Sequence, residues 1–141
     1  MKKRLISLLL AVCTMVSLVT VASARASSYL NAYSAGISAE GNGEISVQIS
    51  VNAVHTMDRV GVVSIQVQEK YSASSSWHHY QTVLGSSDPD EFYAYDTLLF
   101  LNRFYFDCTP GYYYRVIAVV YAGDETGADT GTITSGEILC K

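Results

Sequence analysis

Basic residues are scarce in this chain once its first 26 positions are set aside. Lys2, Lys3, Arg4 and Arg25 lie inside that segment, leaving five basic side chains against thirteen acidic ones, a net charge of −8. Nucleic acids and anionic membrane surfaces both need a basic footprint, so neither is an expected partner. Long amphipathic helices are missing too, because no stretch repeats its apolar residues at helical spacing. There is no internal repeat and no linker, which leaves one domain. No Gly-x-Ser-x-Gly elbow and no reactive Cys/His setting supports nucleophilic catalysis. Cysteine is sparse, with three in all. Two of them with scattered histidines fall short of a zinc ligand set.

What is present begins at the amino terminus. Met1-Lys2-Lys3-Arg4 is a positive cluster, and the apolar run Leu5 to Val21 follows, broken by Ser7, Thr14, Ser17 and Thr20. Small residues then appear, Ala22-Ser23-Ala24-Arg25-Ala26. A charged start, an apolar centre and an Ala-x-Ala end read as a secretory signal peptide over 1–26, cut after Ala24 or after Ala26. A retained anchor is the weaker reading, since spanning takes about 20 strongly apolar residues. A lipoprotein at Cys13 is disfavoured by Val12 before it, and without a twin-Arg pair the general export route is expected. Removing 26 of the 141 residues leaves 115, the size of one ordinary domain, secreted and without stable membrane insertion. No sorting motif or apolar tail follows the domain, so the product is expected to be released or held by a partner.

Cys13 leaves with the leader, and Cys108 and Cys140 remain as an even pair. In an exported chain such a pair reads as a disulfide. All eleven tyrosines lie after the leader. Tyrosine buries area while keeping a polar handle, so packing between strands explains most of them, and binding faces could use others.

Strand signals dominate residues 27–141. Ile45, Val47, Ile49, Val51 and Ala53 alternate with Ser46, Gln48, Ser50 and Asn52, a period of two on β-branched residues. Gly41-Asn42-Gly43 before them is a tight-turn signal, making Ser28 to Glu40 the preceding strand, at an edge and bent at Gly36. His55 to Arg59 reads as a break, after which Val63, Ile65 and Val67 share one face. Trp77 to Leu84 is a short strand, and Gly85 to Glu91 an acidic loop. Phe92 to Phe106 fits either a strand pair or a short helical turn. Tyr112 to Ala122 is a strong strand with Tyr114, Val116, Ala118 and Val120 on one face. Gly123 to Gly131 reads as a polar loop and Thr132 to Cys140 as the last strand. About seven strands near ten-residue spacing favour an all-β antiparallel sandwich.

The run Pro110-Gly111-Tyr112-Tyr113-Tyr114-Arg115-Val116-Ile117-Ala118 resembles the sixth strand of fibronectin type III domains. That resemblance implies an immunoglobulin-like sandwich with Tyr114 as a structural corner, its hydroxyl bonding back to the preceding turn. Two features depart from the pattern: Trp77 falls on the fourth strand, not the second, and Phe92 to Phe106 is longer than the fold needs. The segments Tyr29 to Gly43, Met57-Asp58-Arg59-Val60-Gly61, Trp77 and Tyr121-Ala122 with its Gly/Asp loop resemble a family of small secreted proteins of Gram-positive gut bacteria. That family has no assigned function, so the resemblance implies export and one β domain, and no site residues.

Few residues suggest chemistry. His78 and His79 are adjacent on a strand and point to opposite faces, so they do not share a metal, and His55 lies apart from both. Asp88, Asp90, Glu91 and Asp96 form one acidic group, and Asp124, Glu125 and Asp129 another. Oxygen-rich loops can hold calcium, but neither has the spacing, glycine and final glutamate of a twelve-residue calcium loop. Solvated acidic loops are the expectation, with no catalytic residue, metal or cofactor. Function then points to a binding module for an extracellular protein or glycan, with Tyr121, Asp124, Glu125 and Asp129 as the candidate binding loop. The alternative is a small hydrolase acting on glycans or cell-wall polymers, with paired carboxylates from distant strands.

Overall fold

A computed structural model describes residues 19–22 and 27–141 of the chain. The expected leader and both cut sites, Ala24 and Ala26, lie outside the described residues, except for residues 19–22. These four form β1, Val19–Ala22, paired antiparallel with β2.

Seven more strands follow: β2 Leu30–Gly41, β3 Glu44–Lys70, β4 His78–Leu84, β5 Tyr93–Asp107, β6 Tyr113–Asp124, β7 Gly127–Thr134 and β8 Ile138–Leu139. Every pairing is antiparallel, in one hydrogen-bonded sheet that folds over itself. Among the described residues one α-helical turn, α1, covers Pro89–Phe92 after a 3-10 turn at Gly85–Ser87. Asp88 caps α1 by accepting from the Glu91 amide, and Pro89 opens it where no amide donor is needed. The fold is therefore the all-β antiparallel sandwich that the strand periodicity implies.

β2 and β3 meet in a two-residue turn over Asn42 and Gly43, whose φ angles are 55° and 74°. Positive φ at both central positions matches the turn to the right-handed twist of the strands, and Asn-Gly tolerates it.

β3 organises everything else. It is 27 residues long and belongs to both layers. Its first half lies between β2 and β5, and its second half has β6 on one edge and β4 and the start of β5 on the other. The expected break at His55 to Arg59 is a bend in a continuous strand. Pairing with β5 slips between Asn52 and Met57, and pairing with β6 slips between Val62 and Ser64. The inward-facing parity changes twice, between Met57 and Val60 and again between Val62 and Ile65, the second change falling at the slip beside β6. The buried set runs Ile45, Val47, Ile49, Val51, Ala53 and Met57, then Val60 and Val62, then Ile65 and Val67. Val63 falls at the second slip and is half-buried, apart from the Ile65 and Val67 face it was expected to share. An extra residue in one strand reverses alternation and bends the sheet.

From β6, Tyr114, Val116, Ala118, Val120 and Ala122 are fully buried against these residues. β2 packs across onto β7: a side chain on Gly131 would meet the Tyr33 ring at 2.5–2.7 Å. Phe92 to Phe106, open between two conformations from its sequence, ends α1 and continues as β5. Phe100, Phe104 and Phe106 face inward, and Phe92 packs on Phe104 with ring centroids 4.6 Å apart.

One pole is tied down covalently. Cys108 and Cys140 form a disulfide with Cα atoms 6.2 Å apart, joining the end of β5 to the residue after β8. Around it the Cys108 amide donates to Gly43 O (2.8 Å) and the Cys140 amide to Tyr112 O (2.8 Å). Tyr114 sits beside this pole. Its hydroxyl accepts from the Thr109 amide (2.9 Å) and donates to Glu69 Oε2 (2.9 Å). Burial raises the pKa of its phenol.

Candidate binding site

The opposite end of the sandwich is built around two glycines on outward-facing positions. Val60 and Val62 are buried, so Arg59 and Gly61 between and beside them face outward. In the antiparallel register Gly61 lies opposite Tyr93 on β5 and opposite Tyr121 on β6. One row along, Arg59 lies opposite Tyr95 and Gly123.

Glycine lets both backbone and tyrosine rings come close there. A Cβ on Gly61 would collide with the Phe92 carbonyl oxygen and lie 2.9 Å from Tyr93 Cδ1, and one on Gly85 would collide with the Val62 carbonyl oxygen and lie 3.1 Å from the Tyr93 ring. A Cβ on Gly123 would meet the Tyr121 hydroxyl at 2.5 Å. Tyr93 thus lies over Gly61 and Gly85, and Tyr121 folds back along its own strand over Gly123. A glycine within a strand commonly marks such a close approach.

The two rings flank the Arg59 guanidinium, whose carbon is 4.6 Å from each ring centroid. The rings stand edge to face, 6.4 Å apart at 89°. Each cation–π contact at an exposed site is worth roughly 0.5–1 kcal/mol, enough to hold a flexible side chain in place. Burial raises the Tyr93 pKa, an effect the Arg59 charge partly offsets. Tyr95, opposite Arg59, is 52% exposed.

Arg59 differs from the other described arginines in its partners. Arg103 donates to Gln48 Oε1 (2.7 Å) and lies 3.9 Å from Glu40, and Arg115 donates to Gln68 (2.8 Å). Arg59 makes no hydrogen bond or ion pair from its side chain among the described residues. One nearby carboxylate, Asp124, is already engaged. Asp124 accepts from the Thr126 amide (2.8 Å) and lies 3.1 Å from His55 Nε2. Hydrogen bonds from Thr126, then from His55, hold the Asp124 carboxyl at a pKa of about 2.

The four residues of the candidate binding loop do not form a loop. β6 and β7 join through a tight turn at Glu125 and Thr126, with Asp124 paired to Gly127. Gly and Asp composition suggested a loop over Gly123 to Gly131, but Asp124 closes the turn and the chain is strand again from Gly127. Tyr121 belongs to the aromatic cradle and Asp124 caps the hairpin beside it. Glu125 is exposed at the turn. Asp129 lies opposite buried Ala122, hence on the other face from Tyr121. Arg59, Gly61 and Tyr93 were missed as site residues. A glycine between two inward valines was the one available signal.

Several other polar groups have partners within the protein. Buried Lys70 donates to Glu137 (2.7 Å) and lies over the Trp77 ring, which also takes Arg115. His79 reaches Thr82 (2.9 Å). Among the described residues no group of three or more His, Cys, Asp or Glu side chains could hold a metal ion, and no helix is long and apolar enough to cross a membrane. Two shallow concavities have volumes of about 200 and 140 Å³. The larger lies on the outer face of β2 and β3, between Ser34, Gly36, Ser46, Gln48 and Arg103.

No family model, curated protein or solved structure matches this chain.

Proposed function

We propose that the chain is an exported binding module whose contact surface is the Tyr93, Arg59 and Tyr121 cradle, with an extracellular protein or glycan as its partner. The observation that carries this reading is Arg59, an exposed guanidinium positioned by two aromatic rings and without a polar side-chain partner among the described residues. Tyrosine and arginine are enriched among the residues that dominate binding energy at interfaces; tyrosine supplies large contact area with few rotatable bonds, and the two rings hold the longer Arg59 side chain in place. The Cys108–Cys140 disulfide is compatible with an oxidising, extracellular setting.

The same proposal includes the two resemblances. The Tyr114 hydroxyl taking the Thr109 amide is the bond expected of a type III corner tyrosine, and the fibronectin type III resemblance rests on that contact and the Pro110 to Ala118 segment. Kinship with small secreted proteins of Gram-positive bacteria rests on the sequence segments alone.

The glycan hydrolase reading gains no support. Ligand clefts usually measure about 300–1,000 Å³, larger than either concavity here. No carboxylate lines the larger, and Glu91 alone lines the smaller.

A combined glycan and protein array, probed with the exported domain, tests the proposal. Saturable binding to at least one class is expected, and silence across both removes it.

A further inference from the structure

We infer that the Arg59 cradle binds the carboxylate of an acidic sugar on a sparsely charged glycan. This rests on the binding-module reading and names the ligand class for that same face.

Arg59 presents a planar fork of donors, and none is taken by another described residue. A guanidinium fork matches a carboxylate through two parallel N–H···O bonds, which a point charge such as an ammonium does not reproduce. Holding the fork 4.6 Å from both Tyr93 and Tyr121 removes much of the freedom that binding would otherwise cost. The site is preorganised before any ligand arrives.

The surroundings favour a sugar as the carrier of that carboxylate. Tyr95, 52% exposed and opposite Arg59, adds a third aromatic side chain to those of Tyr93 and Tyr121. The Tyr93 and Tyr121 faces turned to Arg59 are taken, so the exposed Tyr95 ring is the one that suits the C–H face of a sugar, and phenol hydroxyls suit its hydroxyls. The surface is open, not a cleft, so it takes a residue displayed on a longer chain.

Charge sets the second half of the inference. The titratable groups around the cradle are His55 and Asp58 on β3, Tyr93, Tyr95 and Asp96 on β5, and Tyr121 and Asp124 on β6. Asp124 is occupied by Thr126 and His55 and does not compete for Arg59. The domain carries −8 overall after leader removal. At physiological salt that field is screened over about 8 Å, so one carboxylate docking at Arg59 is tolerated. A densely sulfated polymer would carry many charges into the same field and is disfavoured.

The test uses the exported protein and three probes: an oligosaccharide with one uronic acid per repeat, its carboxyl-reduced neutral counterpart, and a peptide ending in a free carboxylate. Calorimetry or NMR titration is run on the wild type, Arg59→Lys and Arg59→Gln, with thermal melts confirming that each variant folds. The acidic oligosaccharide should bind wild type at least about tenfold more tightly than the neutral one, the scale of a charge-assisted hydrogen bond. Arg59→Gln should erase that difference, and Arg59→Lys should keep only part of it. Equal affinity for the neutral sugar, indifference to Arg59→Gln, or a preference for the peptide overturns the inference. Binding of a protein alone on the array would overturn it while leaving the binding-module proposal standing.

Discussion

Replacing Tyr114 with Phe isolates one hydroxyl at the pole away from the proposed binding face. The ring is fully buried and would stay, including its edge-to-face contact with Tyr80 at 5.6 Å. Two hydrogen bonds of 2.9 Å would go, from the Thr109 amide and to Glu69 Oε2. A neutral bond contributes about 1 kcal/mol and one to a charged group about 1.5–3. Glu69 is only half-buried, so water recovers part of its bond, and the net loss should be about 2 kcal/mol. With an unfolding entropy of about 2.1 cal/mol/K per residue, that corresponds to a fall in Tm of roughly 8 °C. In urea, at an m-value of about 1–1.5 kcal/mol/M, the midpoint should drop by around 1.5 M with m unchanged. The fluorescence of Trp77, the single tryptophan, reports the transition. A Tm within about 2 °C of wild type would refute the idea that this hydroxyl pins the turn.

Intact mass of the exported product should be two hydrogens below the fully reduced value, and a Cys108→Ser/Cys140→Ser double variant should lose roughly 3–4 kcal/mol of stability from the freed loop. A fully reduced mass, or an unchanged urea midpoint in the double variant, would contradict that. NMR titration of Asp124 should give a midpoint near 2. Because that value is depressed below the ordinary 3.8, its contribution to hairpin stability is complete above about pH 4 and is lost as the pH falls towards 2. Thr126→Ala should raise the midpoint towards the ordinary value, and an unmoved midpoint would remove Thr126 as the cause.

The parts of the fold that sequence made legible are those where one physical rule acts alone. Alternation from Ile45 to Ala53 follows burial of one face, Asn42-Gly43 follows the need for positive φ, and the Cys108–Cys140 bridge follows from the even pair of cysteines beyond the expected leader. The continuity of β3 was hidden because Val54, His55 and Thr56 at its bend are exposed, which looks like a loop. The slip at Val63 left no mark in the one-dimensional pattern. In the segment after Gly123, composition suggested a loop where Asp124 closes a tight turn. The cradle was the least legible feature. Gly61 meets Tyr93 and Tyr121 only through cross-strand register, and no periodicity along the chain encodes that pairing.

The account turns on whether the outer face carrying Arg59, Tyr93 and Tyr121 is a binding surface. Probing the glycan and protein array with the exported wild type and with Tyr121→Ala, side by side, tests this most directly. The wild type should bind at least one probe saturably, and losing one aromatic wall should weaken that binding at least about tenfold with little change in Tm. No saturable binding by the wild type, or equal binding by both proteins, would contradict the account.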